Sequence, residues 1–445
     1  MRVAVIGAGI IGVTTAYELA RDGHEVSVFE RQGNVAAEAS FANAGLVAPG
    51  YVTPWAAPGM PGKVLAHLFS RHAPVRLRSG MSLSTVGWLW QWWRACRLRT
   101  YQANRLRMQR LAFFSRARLH GISQSLQLDY ERSEGYLVLL RTPQDLALAQ
   151  PGLALLNPLT TRFEVLDAQQ CRAVEPALSA QTPLHAGIHL PDDEVGNCRQ
   201  FAHLLRLEAQ HLGASFRFHT QVIRIEPDAA PRLVHLPAGQ YASSVLPRKV
   251  ARETGSDTEL LPIEPVTETF DAIVVCAATG AASLLRPLGV KLPIQAVHGY
   301  SITAPLRRDE QNEQGPRSAL MDERYKVAIS RLGSRVRVAG SAEIGGSLQH
   351  NDRRALDTLY KVLHDWFPGA ALLGQAQVWK GARPMLPDGP PVIGTSGIEG
   401  LWLNLGHGSS GWALSCGSGR LVADLLVGRT PAIDTEGLGI DRLQG

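Results

Sequence analysis

The decisive stretch is Arg2-Val-Ala-Val-Ile-Gly-Ala-Gly-Ile-Ile-Gly12. After Arg2 the first residues are apolar and mostly β-branched, which reads as a short buried strand over 2–6. The pattern G-x-G-x-x-G follows, then helical spacing from Thr14 to Arg21, a stop at Gly23 and a second strand from Glu25 to Glu30. Strand, glycine turn, helix and strand in this order form a β-α-β dinucleotide unit. Gly7 allows the tight turn, Gly9 lets the backbone approach a pyrophosphate, and Gly12 lets the helix pack close to the strand. The first helical turn, with Ile10 and Ile11, then turns its N–H groups and positive dipole end toward the phosphates. Glu30 lies 18 residues beyond Gly12, where a carboxylate accepts from a ribose hydroxyl. The motif alone does not separate NAD from FAD.

Further nucleotide-fold parts are spread along the chain. Arg199 to His211 read as a helix that Gly213 stops, and Ala214–Phe218 and Gln221–Ile225 alternate like strands. Asp271–Ala277 is another buried strand, closed by Ala278-Thr279-Gly280. Leu401–Leu405 enters Gly406-His407-Gly408-Ser409-Ser410-Gly411, and a helix runs on from Trp412 to about Leu426. One nucleotide fold built from separated segments is typical of flavoproteins. The expectation is an α/β chain with a Rossmann-like FAD-binding domain from 1–50, 190–285 and 381–445. An α+β substrate domain with an antiparallel sheet takes 51–189 and 286–380.

Several blocks resemble the D-amino-acid dehydrogenase small subunit family, within the D-amino-acid oxidase-like flavoproteins that include glycine and sarcosine oxidases. They are Gly7–Gly12 with Glu30-Arg31, Ser40-Phe-Ala-Asn-Ala-Gly45 through Pro49-Gly50-Tyr51, and Thr53-Pro-Trp-Ala-Ala-Pro-Gly59. Met321–Ile329, Gly381-Ala-Arg-Pro-Met-Leu-Pro-Asp-Gly389 and Gly406–Trp412 complete the set. The resemblance implies FAD and oxidative deamination of D-amino acids to 2-oxo acids and ammonia, by hydride transfer from Cα to flavin N5. Electrons then pass to a quinone or another carrier. Related activities on glycine, sarcosine or D-hydroxyproline, and an idle flavin-binding or electron-relay subunit, are the alternatives. Arg383 is implied as the clamp on the substrate carboxylate, which its planar fork suits. Tyr325 is its implied companion, with Tyr300 and His298 as secondary pocket-wall candidates.

The remaining cofactor residues follow from the same blocks. Ser40, Asn43, Ala44, Gly45 and Leu46 lie beside the isoalloxazine ring. Val222 meets the adenine through its backbone, and Ala277 and Gly280 close a strand end. Gly406, His407, Gly408, Ser409, Ser410, Gly411 and Trp412 open a helix whose dipole faces the flavin pyrimidine edge. Three departures stand out. The polar, Pro-rich stretch 227–270 is longer than a strand connection needs, Ala382 stands where a bulkier residue is expected, and no cysteine in Arg383–Gly389 offers covalent attachment. FAD is therefore expected to bind non-covalently. His185 and His189 are four apart, but Pro183, Gly187 and Pro191 argue against a helix, and no metal is expected.

Composition sets the outer bounds. The 445 residues are 45% hydrophobic and 19% charged, which opposes disorder and suggests two or three domains. No apolar run is long enough for a membrane-spanning helix, and the first residues do not read as a signal peptide. Five scattered cysteines support neither a disulfide framework nor a zinc ribbon, so a reducing, cytoplasmic setting is the default. The net charge of +6 is uneven: between Glu38 and Asp129 there are twelve basic residues and no acidic one. From Trp88 to His120 there is neither Gly nor Pro, and Trp88, Leu89, Trp92, Trp93 and Cys96 fall on one helical face. Nucleic acid is not expected, since no nucleic-acid module accompanies the charge. Packing against the substrate domain and contact of 84–120 with an anionic membrane surface, at the inner face of the cytoplasmic membrane, stay open together.

Overall fold

In a computed structural model, Arg2–Ile6 is a central strand of a six-stranded sheet. The structure describes residues 1–67, 70–78, 82–156, 161–237, 264–307 and 314–443. The sheet runs Val392–Thr395, Leu401–Leu405, Ala272–Val275, Arg2–Ile6, Glu25–Phe29, Ser215–Arg217, and only its first pair is antiparallel. Parallel strands need both faces covered. The helices Ile10–Arg21, Cys198–His211 and Gly411–Leu426 cover one face, and the short helix Ala281–Leu285 and a small sheet cover the other. That small sheet pairs Gln221–Glu226, Arg232–Leu236 and Val266–Thr269. The middle of the 227–270 stretch, 238–263, lies outside the described residues.

A second, mainly antiparallel sheet of ten strands stands beside it, running from Gln377–Met385 through Gln295–Pro305, Arg335–Ile344, Val327–Leu332, Ala319–Asp322, Ser133–Leu140 and Ala186–Val195 to Leu46–Val47. Its rear face packs on the amphipathic helix Arg353–Trp366 through Ile302, Ile329, Val338, Leu359 and Trp366. Ala186–Val195 and Gln377–Met385 cross the positions 189/190 and 380/381 without a break.

The Trp88–His120 segment differs from its sequence reading. It forms two helices, Leu83–Ala95 and Leu98–Ser125, with Cys96 and Arg97 between them. Ser82 caps the first by accepting from Thr85 N–H at 3.2 Å. Trp88 and Trp92 are buried, whereas Trp93 is 58% exposed. Trp93 follows Trp92 by one residue, about 100° around the helix, and the turn that buries Trp92 swings Trp93 outward.

The long helix carries four of the unbalanced arginines into ion pairs with distant acids. Arg107 and Arg110 pair with Glu436 and Asp434, and Arg116 pairs with Asp193. Arg118 makes a bidentate pair with Glu18 at 2.5 and 2.7 Å. Glu18 has no exposure and also accepts from Arg420 at 3.0 Å. Three helices meet at this carboxylate. They approach through small residues: a Cβ on Gly417 would lie 2.9 Å from Ser115 Cα, and one on Gly419 would lie 2.9 Å from the Thr14 carbonyl carbon. Removing one partner from a buried charge pair costs about 3–5 kcal/mol. Glu18→Ala is expected to lower unfolding stability by that amount in urea denaturation, while Arg99→Ala, on an exposed side chain, stays within about 0.5 kcal/mol of the parent.

Candidate functional site

Between the two sheets lies a cavity of about 1690 Å³. Its first end is built by the glycine turn. Gly7 has φ +102°, and a Cβ on Gly12 would lie 1.8 Å from Gly7 O, so only glycine lets helix Ile10–Arg21 start here. Gly7, Gly9, Ile10 and Ile11 line the cavity, while Gly12 packs behind them. Ser40 Oγ accepts from Ile10 N–H at 3.1 Å, which leaves its own hydrogen free to donate. Glu30 also faces the cavity, and Val222 lines the same end. Its carboxylate accepts from Ala8 N–H at 2.7 Å and Gln32 N–H at 2.8 Å, one on each oxygen, so each oxygen keeps a lone pair. Burial raises the Glu30 pKa against those two donors. Arg31 turns to Glu38 in a surface pair.

The middle of the cavity is the loop Asn43–Leu46, whose successive carbonyls are tied by three different elements. Arg337 donates to Asn43 O at 3.1 Å, Ser330 to Ala44 O at 2.7 Å, and Trp412 Nε1 to Gly45 O at 3.1 Å. Asn43 Oδ1 accepts from Gly45 N–H at 3.0 Å, and Gly45 holds φ +78°. Arg337 has neither a carboxylate bonded to it among the described residues nor much access to water, and burial lowers its pKa to about 10. Across from this loop, Ala277, Gly280 and the turn 406–411 also line the cavity. Gly411–Leu426 starts there, so the unsatisfied N–H groups of its first turn lie at the cavity wall. His407 is 3% exposed, its Nε2 has no partner, and burial pushes its pKa down to about 3. It is thus a neutral imidazole at neutral pH.

Arg383 occupies the far end, on strand Gln377–Met385. Its guanidinium lines the cavity and is largely withdrawn from water. It donates to Ser341 O at 2.9 Å, and no carboxylate among the described residues pairs with it. Desolvation alone lowers its pKa to about 10. Ser341 holds φ +60° beside a register shift in the sheet, which turns its carbonyl toward the arginine. A buried guanidinium with one neutral acceptor is an incomplete arrangement that an anionic ligand would complete.

Of the predicted site residues, all but Gly12, Tyr325 and the secondary candidate His298 line this cavity. Tyr325 requires correction. It packs on the rear of the large sheet, with Arg141 5.0 Å and Lys361 5.5 Å from its ring centroid and His72 at its edge, and it does not reach the cavity. Val327 starts a strand just beyond it, and the turn before that strand sends Tyr325 to the helix side. Tyr300 contributes to the cavity wall, but its hydroxyl turns back to Glu343. His298 is buried outside the lining. Sequence reasoning missed Tyr51, whose hydroxyl donates to Glu323 at 2.6 Å at the cavity edge, and missed Trp379, Gly299 and Gly381 beside Arg383. Glycine inside a strand, as at 299 and 381, signals a close approach and was the available clue.

The cavity joins a carboxylate with free lone pairs, two helix starts and a loop fixed by three donors. A long cavity with these groups along it fits an extended dinucleotide such as FAD. Comparison with known proteins identifies the family. The family model described as FAD dependent oxidoreductase matches residues 2–425. D-amino acid dehydrogenase of Rhizorhabdus wittichii is 43% identical, over 99% of this chain and all of that protein. D-amino acid dehydrogenase of Cereibacter sphaeroides is 41% identical, over 99% of this chain and 95% of that protein. Among solved structures, glycine oxidase from Geobacillus kaustophilus superposes with TM-score 0.72 at 20% identity, covering 98% of this chain and 97% of that one. L-proline dehydrogenase from P. horikoshii gives TM-score 0.68 at 17% identity, covering all of this chain and 97% of that one. At these identities the structural likeness speaks for the fold alone.

The triple tie on Asn43–Gly45 makes a checkable claim. Ser330→Ala combined with Arg337→Met removes two donors from a loop that lines the cavity. Apparent FAD affinity, measured by titrating the stripped protein, is expected to fall about tenfold or more. Unchanged affinity would show that the loop holds its shape without those donors.

Proposed function

The chain belongs to the DAO family of FAD dependent oxidoreductases, and from that premise we propose that it oxidatively deaminates D-amino acids to 2-oxo acids and ammonia and passes the electrons to a quinone or another carrier. The observation that carries this reading is Arg383, a buried guanidinium without a carboxylate partner among the described residues that opens into the same cavity as the FAD-binding residues. Full-length similarity to proteins named D-amino acid dehydrogenase supports the substrate class.

Bound FAD supplies the hydride acceptor for the substrate Cα. The protein's share is orientation and electrostatics. Arg383 takes the substrate carboxylate in a charge-assisted, bidentate contact, and binding restores the charge partner that burial withholds. The helix beginning at Gly411 directs its positive end toward the place where negative charge develops. His407, held neutral, offers a hydrogen bond there without adding charge. No cysteine lies in Arg383–Gly389, so the cofactor is held non-covalently in this reading.

Delivery of electrons to a carrier is the second part of the proposal. The lining contributed by the helical segments around the cavity includes Met60, Val64, Leu98, Leu148 and Leu155 beside polar groups such as Lys63 and Gln102, and the apolar members offer contacts to a lipophilic acceptor. Leu98 also belongs to an exposed patch with Leu83, Val86, Trp90 and Trp93. Arg94, Arg97 and Arg99 stand among them without a carboxylate partner among the described residues. No helix of the described residues is long and apolar enough to cross a membrane. The proposed membrane contact is therefore peripheral, and it narrows from 84–120 to about 83–99, because from Arg105 onward the arginines mostly turn inward or pair. Tryptophan at the headgroup level and arginine on anionic lipid are the expected pairing.

Two experiments test this. Purified protein is expected to release FAD on acid treatment and to bleach anaerobically with D-alanine but not L-alanine. Arg383→Ala is expected to raise KM at least a hundredfold with the flavin spectrum intact; loss of flavin would sink the clamp assignment, and bleaching by sarcosine or glycine alone would redirect the substrate class. Separately, vesicles rich in phosphatidylglycerol should sediment the protein at low salt. The triple change Arg94→Glu, Arg97→Glu and Arg99→Glu should weaken that binding about a hundredfold or more while sparing turnover with a soluble dye. Wild-type protein that ignores such vesicles would end the membrane reading.

A further inference from the structure

Gly299 and Gly381 face each other as Cα partners on neighbouring strands of the large sheet. Neither position has room for a side chain. A Cβ on Gly299 would lie 2.3 Å from Arg383 Nη2, and a Cβ on Gly381 would lie 1.9 Å from Trp379 Cη2. The Arg383 guanidinium therefore lies across Gly299, and the benzo edge of the Trp379 indole lies across Gly381. Directly opposed residues in an antiparallel pair are about 4.5–5.5 Å apart. The two groups thus overlie adjacent positions on the same face of the sheet, and all four residues line the cavity. Phe41 backs the indole, nearly parallel to it at 21° with centroids 6.4 Å apart, and Arg199 covers Phe41 at 4.0 Å.

We propose that Trp379 is the wall against which the side chain of the amino-acid substrate rests, and that it limits that side chain to small apolar groups. The inference depends on Arg383 holding the substrate carboxylate. A carboxylate in bidentate contact places Cα roughly 5 Å from the guanidinium carbon. The indole edge is about as far to the side, so the groups on Cα come within van der Waals reach of it. Two of the four groups on Cα are already committed, the carboxylate to Arg383 and the hydrogen to the hydride acceptor. The amine wants polar neighbours, and the indole edge is apolar. The side chain is the group left to meet Trp379. Gly299 and Gly381 keep both groups pressed into the sheet, which sets how close that wall stands to the clamp.

The test compares kcat/KM for D-alanine, D-valine and D-phenylalanine in FAD-loaded wild type, Trp379→Ala and Trp379→Phe, with flavin absorbance confirming the loading. The ratio of D-phenylalanine to D-alanine is expected to rise at least tenfold in Trp379→Ala, with the change mainly in KM, and at least threefold in Trp379→Phe. A purely structural role would instead lower all three substrates together, and ratios within twofold of wild type would overturn the proposal. Should Trp379→Ala lose its flavin, Trp379→Phe decides alone. Failure of the underlying reading looks different: Arg383→Ala with an unchanged KM for every substrate removes the clamp, and wild type that oxidises no D-amino acid removes both.

Discussion

A carboxylate with no access to water holds this molecule together. Glu18 sits at the meeting of helices Ile10–Arg21, Leu98–Ser125 and Gly411–Leu426, bonded to Arg118 and Arg420. An isolated buried carboxylate costs several kcal/mol, so this arrangement is tolerable only when all three helices are in place. The dependence reaches the cavity directly. Ile10–Arg21 begins at the glycine turn 7–12, and Gly411–Leu426 begins at the turn 406–411 on the opposite wall. The same ionic junction ties the two helices to each other and to the long helix. Arg420 also bonds Asp22 and Asp424, so the junction extends along both helices and is not a single contact.

The cavity face shows a second use of the same principle, with cations left incomplete. Arg337 and Arg383 are both buried and both depressed to about 10, yet they serve different ends. Arg337 spends its donors on Thr303 Oγ1 at 2.9 Å and Asn43 O, and so becomes part of the frame. Arg383 has one neutral acceptor and an open side toward the cavity. The difference lies in what stands opposite each: a hydroxyl and a loop carbonyl for Arg337, and a glycine that gives way for Arg383.

Local spacing made the first half of the site legible. Gly7, Gly9, Gly12 and Glu30 act within one β-α-β unit, and residues so close in sequence declare their geometry through the turn they require. The turn 406–411 was legible for the same reason. Arg383 was legible only through family resemblance, because its partners Ser341 and Gly299 come from strands paired far along the chain. Tyr325 misled because a residue in a turn before a strand has no fixed parity. One position of shift sends its side chain to the helix face, and the sequence carries no signal of that shift. Trp379 was illegible for a related reason: its place is set by the glycine it covers and by Phe41, more than three hundred residues away. The break at Cys96 and Arg97 has neither Gly nor Pro to announce it; tertiary packing of Trp88 and Trp92 against Trp55 and Met385 accompanies it.

Charge is the property that changes most between sequence and structure. Twelve basic residues without one acid look like a surface built for an anionic partner. Folded, the segment draws its counterions from elsewhere: Glu18, Asp193, Glu343, Asp352, Asp434 and Glu436 all come to its arginines. A block of one sign along the chain can therefore be an assembly device, since it can be neutralised only by bringing distant segments to it. Arg94, Arg97 and Arg99 are exposed and have no carboxylate partner among the described residues, and Trp90 and Trp93 also turn outward there. The arginine that covers Trp90 at 4.7 Å, Arg94, belongs to that group. An aromatic and a cation kept together in water, while their neighbours on the same helix are drawn inward, mark the small area of this segment that the fold itself leaves unused.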